Sequence, residues 1–240
     1  MRFTITERLS ENRKSNIVSK NSSEFGEEIF ILYRKRYVIN FLLCLSLLLN
    51  GQYWISFSAI TTELSVYFNK TTSQINWFSN VFLLFPGLVA MFSVFLPDTI
   101  GLKWCLIFGC LLHALGSFLR FIPVFALEAN KNAQYFICLT GSVILAFAQG
   151  IILNLPSYLS AKWFGANERD VSTAVACLSN LIGYSLGFLF SFSVMRNFSN
   201  PDQYGKGLKI IVCVEFLASL VCRIFNIKDS TIGNCLVSSR

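Results

Sequence analysis

Six stretches of this chain, at about 37–60, 75–96, 104–126, 135–160, 171–195 and 208–227, are long, almost unbroken runs of apolar residues. Crossing the hydrocarbon core of a bilayer takes a helix of roughly 20 such residues. The six runs therefore predict an all-α membrane protein with six transmembrane helices. Composition agrees: 54% of residues are hydrophobic and 14% charged, and the mean hydropathy is +0.56, outside the balance of soluble domains.

Charge then orients the chain. Residues 1–36 are rich in Ser, Asn, Glu and Lys, carry eight Lys or Arg, and contain no apolar core of the signal-peptide kind. They read as an uncleaved, disordered cytoplasmic tail, with 37–228 as the membrane domain and 229–240 as a second cytoplasmic tail. Fourteen basic residues fall on the side of the N-terminus and six, Arg120 among them, on the other, so both termini are expected in the cytoplasm. Glycosylation sequons at Asn69 and Asn197 fall on the outer side and the one at Asn21 on the inner. The net charge of +7 is orientation charge beside anionic headgroups rather than a nucleic-acid footprint. Of the eight cysteines, seven lie in or beside spans and Cys235 in the C-terminal tail, and none has metal-ligand spacing, so packing is their expected role.

The spans are not uniformly apolar. The first contains "NGQYW" at 50–54, where Asn50 and Trp54 are four residues apart and share one helical face. A quaternary ammonium offers no hydrogen-bond donor and is best held against an aromatic face, of which Trp is the strongest. Asn50, Gln52 and Gln149 can equally bond across helices, at about 1 kcal/mol each, and the residues alone leave both readings open. Pro86-Gly87 loosens the second span, and Asn154 and Pro156 interrupt the fourth. In the fifth, Gly183 and Gly187 allow close helix contact. Trp77 and Trp104 fit membrane-interface anchoring. Glu215 is an acid deep in a span, expected either to face Lys209 or water near the outer leaflet or to serve as a coupling site.

The loop "LPDTIGLKW" places Asp98, Gly101 and Lys103 between the second and third spans. This order resembles the cytoplasmic loop latch of the major facilitator superfamily, although Val94 replaces a glycine of that pattern and Thr99 a basic residue. With "LNGQYW", "INWFSNV", "AQGIILNLPSYLSAKWFG" and "LSNLIGYSLGFL", the chain over about 38–200 is similar to the feline leukaemia virus subgroup C receptor family of solute carriers. The resemblance implies twelve spans in two six-helix halves, of which this chain matches the N-terminal half, a 3+3 repeat, so that one wall of the site is missing. It implies a carrier working by alternating access in the plasma membrane, with choline or ethanolamine as substrate, or haem as the alternative. It also implies cavity-lining roles for Asn50, Trp54 and Gln149, with no counterpart to the aromatic residue of the seventh helix. Haem ligation would fall to His113, the only histidine, which fits a packed core residue better. The other class of reading is a non-transporting membrane protein that modulates a full-length relative; a homodimer could instead rebuild the pair of halves. No catalytic motif or cofactor site is recognisable, and no enzyme is expected.

Overall fold

The computed structural model describes residues 35–126, 130–198 and 200–228. The Asn21 sequon, Cys235 and both tails, save for Lys35 and Arg36, lie outside the described residues. Among those described, ten α-helices and one 3-10 turn form the bundle, and none is a strand. They are α1 (Lys35–Ser58), α2 (Thr61–Phe68), α3 (Thr72–Ile75), α4 (Trp77–Ser93), α5 (Leu96–Ile100), α6 (Leu102–Ala126), α7 (Lys131–Ile152), α8 (Leu155–Trp163), α9 (Arg169–Arg196) and α10 (Tyr204–Lys228).

Five segments are long and apolar enough to cross a membrane: Arg36–Ser58, Thr72–Ser93, Leu102–Phe125, Lys131–Trp163 and Arg169–Arg196. The sixth expected span, α10, has the length but carries Lys206, Lys209, Glu215 and Arg223. It joins the bundle by packing chiefly on α6, with Glu215 wholly enclosed. The Arg120 side chain, which the sequence reading assigns to the outer surface, is 0% exposed inside α6 and faces that same Glu215. The expectation that Glu215 faces Lys209 or water is therefore corrected: a helix with one buried acid is accommodated because a neighbouring helix buries one base opposite it.

Breaks and close contacts follow the small and polar residues. Pro156 has no N–H to give the ladder and its ring crowds the preceding turn, so the fourth span stops at Ile152 and resumes at Leu155. Asn154 fills this break: its Nδ2 donates to Ser93 Oγ at 2.6 Å, and Ser93 Oγ donates to the Gly150 carbonyl at 2.7 Å. Pro86, by contrast, sits inside a helix that continues through it to Ser93, and its Cα approaches Gly150. The most extensive helix pair is α1 with α9, followed by α6 with α7. At the first, a Cβ added to Gly183 would fall on the Leu48 carbonyl oxygen, and one added to Gly187 would lie 2.9 Å from the Gln52 Cα. The expected close packing through both glycines is what the bundle uses.

The two ends of the spans are distinct. One holds an aromatic cluster in which Phe57, Phe68, Phe78 and Tyr135 meet edge to face. Beyond it the chain turns at Asn69, which caps α2 with φ 52° and is exposed. A capping box between Thr71 and Gln74 then starts α3. An exposed asparagine in an "NKT" turn is an oligosaccharide acceptor if this end is lumenal during synthesis. Expression in mammalian cells should give a band that glycosidase sharpens and Asn69→Gln removes; an unshifted band for both proteins would reverse the assigned orientation. Trp77 and Trp104 are both exposed, at the starts of α4 and α6, as interface anchors would be.

Candidate functional site

The polar residues of the first span meet those of the fifth. α1 and α9 run in the same direction: Asn50 faces Asn180 and, one turn further along both helices, Trp54 faces Tyr184. Gly51, Gly183 and Gly187 bring the two backbones together beside this stripe, and a Cβ on Gly51 would collide with the Asn180 carbonyl. Asn50, fully buried, donates from Nδ2 to Asn180 Oδ1 at 3.3 Å. Asn180 in turn donates from Nδ2 to the Tyr184 hydroxyl at 2.7 Å. The Trp54 and Tyr184 rings, both half-buried, lie with centroids 5.2 Å apart and planes at 86°.

Two of the side chains expected to line the site hold a buried oxygen with no donor. One is Asn50 Oδ1; the other is Oε1 of Gln149, a side chain only 4% exposed on α7. Gln149 and Asn50 are therefore not bonded to each other. Buried amide oxygens are normally paired, so each is an acceptor available to a hydroxyl or an N–H. The cross-helix bond read from sequence as an alternative to ligand binding is present for Asn50 Nδ2, and it leaves the acceptor half of the same amide open.

Gly101 turns the chain with φ 85°, a conformation that favours glycine. Asp98 is exposed and Lys103 half-buried, and among the described residues neither forms an ion pair. The loop is held instead by the Tyr158 hydroxyl, which donates to the Pro97 carbonyl at 3.2 Å. The ion pair at this end joins Arg36, in the first turn of α1, to Glu168 at 2.7 Å, with the guanidinium 5.1 Å from the Phe164 ring centre. Sequence reasoning assigned Arg36 to the tail. Its signal was the charged loop "KWFGANERD" facing a basic run.

Glu215 belongs to a separate buried cluster. Arg120 Nη1 lies 3.5 Å from Glu215 Oε2 and donates to the Tyr53 carbonyl at 3.2 Å. The guanidinium also donates to Ser142 Oγ from Nη2 at 2.8 Å and stands 4.4 Å over the Phe57 ring. The Tyr53 hydroxyl reaches the Glu215 backbone carbonyl at 3.3 Å. His113 is buried edge-on to Tyr53, 5.2 Å between ring centres; it is packed as expected, but both of its ring nitrogens are buried without a hydrogen-bond partner.

A helical membrane bundle with a polar, part-aromatic seam between its first and fifth spans has the make-up of a solute carrier half. Residues 42–225 match the family model of the Major Facilitator Superfamily. The chain belongs to that superfamily. Among its relatives, solute carrier family 49 member A3 of Xenopus tropicalis is 28% identical over 69% of this chain and 35% of its own length. The choline/ethanolamine transporter FLVCR1 of Felis catus is 28% identical over 70% of this chain and 29% of its own. The human choline/ethanolamine transporter FLVCR2 is 24% identical over 74% and 33% respectively. The chain thus spans about a third of the length of the curated relatives it matches, and they lie in the branch to which the sequence motifs pointed.

Proposed function

We propose that this chain forms the N-terminal six-helix part of a carrier for a small organic cation, choline or ethanolamine, working by alternating access. The observation that carries the reading lies on α1, where Asn50 holds a buried, unpaired amide oxygen one turn from the half-buried indole of Trp54; Gln149, on α7, holds a second unpaired amide oxygen. Amide oxygens face a cation without fixed negative charge and accept from a hydroxyl or an ammonium N–H. The indole face holds the methylated head. The names of the FLVCR1 and FLVCR2 relatives support the same substrate class. The opposite wall of such a site would come from a second set of helices, in keeping with carriers whose site lies between two repeats and whose halves rock about it.

Haem is the weaker cargo here, because the only histidine is 2% exposed and enclosed against Tyr53. Glu215, paired with Arg120, is assigned to holding the bundle rather than to coupling. The carrier is placed in the plasma membrane with both termini cytoplasmic, and Asp98, Gly101 and Lys103 at the cytoplasmic face.

The test is uptake of radiolabelled choline by cells expressing the chain, beside cells expressing Trp54→Ala at matched surface level. Uptake above background that falls about tenfold or more in the variant is expected from a desolvated cation–π contact. Well-folded surface protein that takes up neither choline nor ethanolamine would overturn autonomous transport by these residues.

A further inference from the structure

The aromatic partner implied for Trp54 belongs to a seventh helix, yet a second ring already stands beside it. Tyr184 meets Trp54 at 86°, and both rings remain partly open. Two rings at right angles form a corner, and a compact cation seated there touches two π faces at once. The corner is braced. Asn180 donates to the Tyr184 hydroxyl with its nitrogen and accepts from Asn50 with its oxygen. Both ends of this one amide are thus used, which turns Asn50 so that Oδ1 is the atom left unpaired. Along the same seam runs a cavity of about 370 Å³, lined by Tyr37, Asn40, Cys44 and Leu48 of α1 and Val175 and Ser179 of α9. Asn50, Trp54, Asn180 and Tyr184 are not among its lining residues, so it is a groove separate from the corner. Asn40, which lines this groove, holds a buried, unpaired Oδ1.

We propose that Tyr184, held by Asn180, is a specificity-determining residue: with Trp54 it forms an aromatic corner that favours methylated over primary ammonium. The inference rests on the organic-cation reading above. Its chemistry separates two ligands. A trimethylammonium has no N–H and depends on the π faces, whereas a primary ammonium has three N–H donors and can rely on the amide oxygens.

The test is equilibrium binding of radiolabelled choline and ethanolamine to the purified chain in lipid nanodiscs. Tyr184→Leu should weaken choline about tenfold, as expected for loss of one desolvated cation–π contact, with ethanolamine changed less than about threefold. Tyr184→Phe keeps the ring and should keep the preference for choline. If the leucine variant does not fold, phenylalanine and then its di- and trifluorinated forms at position 184 preserve shape while draining the π face. Choline affinity should then fall stepwise and ethanolamine affinity should not. Equal losses for both ligands, or none along the fluorinated series, would overturn the role of Tyr184 while leaving the organic-cation reading intact. Wild-type chain that binds neither ligand would overturn that reading and this inference with it.

Discussion

Glu215→Gln is expected to cost the bundle about 3–5 kcal/mol, the usual effect of orphaning one member of a buried ion pair. Set against a total stability of about 5–15 kcal/mol, that loss should turn a monodisperse peak in detergent size-exclusion chromatography into aggregate. The asymmetry of the pair sharpens the expectation. A carboxyl group can shed its charge by taking a proton, but a guanidinium cannot, so removing the acid strands a permanent charge at a position with 0% exposure. Arg120 would retain Ser142, the Tyr53 carbonyl and the Phe57 face. None of these neutralises it. Arg120→Met combined with Glu215→Leu should recover much of the loss, since apolar replacement of a whole buried pair is often neutral or stabilising. A Glu215→Gln protein as stable as the parent would show that the pair does not hold α10 to α6. It would also return Glu215 to the list of candidate coupling groups.

This pair also marks the limit of reading along the chain. Helical class, five of the six expected spans and the polar stripe of the first helix were legible because each depends on residues within about 20 positions of one another. Arg120 and Glu215 are 95 residues apart, and only the crossing of α6 with α10 makes them partners. Counting Arg120 as an outer-loop charge was the natural error, since its distance along the helix from the loop is short and its direction around the helix is not written in its own position. The same holds for the site. Asn50 and Trp54 stand out because they break an apolar run, whereas Asn180 and Tyr184 were passed over as neighbours of a glycine packing motif. A repeat of the four-residue spacing, 50 and 54 against 180 and 184, was the available signal. Pro86 lies within a continuous α4, where it leaves one backbone carbonyl of the preceding turn without its ladder N–H, and Gly150 on α7 packs close beside it.

Gly183→Leu is the second substitution expected to have a large effect, and it tests the frame on which the site depends. The first atom of any side chain at 183 would meet the Leu48 carbonyl oxygen, with the Leu48 carbonyl carbon at 2.9 Å and Cα at 3.0 Å. Those are backbone atoms of a helix and cannot swing aside as a side chain would. The helices must instead separate, and separation breaks the Asn50–Asn180 bond and the Trp54–Tyr184 contact together, because both span the same seam. Overpacking of a tight interface costs about 1–3 kcal/mol even when the clash is with movable atoms, and this clash is worse. The expected result is a thermal midpoint in detergent lowered by several degrees, with choline binding lost even at temperatures where the variant remains folded. Gly87→Ala is the matched comparison. Outside the chain neighbours and the local helix backbone, no atom lies within 4 Å of a Cβ there, and alanine is favoured over glycine inside a helix by about 1 kcal/mol, so that variant should match or exceed the parent. If Gly183→Leu behaves like Gly87→Ala, α1 and α9 are not held at the described separation. The polar seam would then have no fixed geometry from which to recognise a cation.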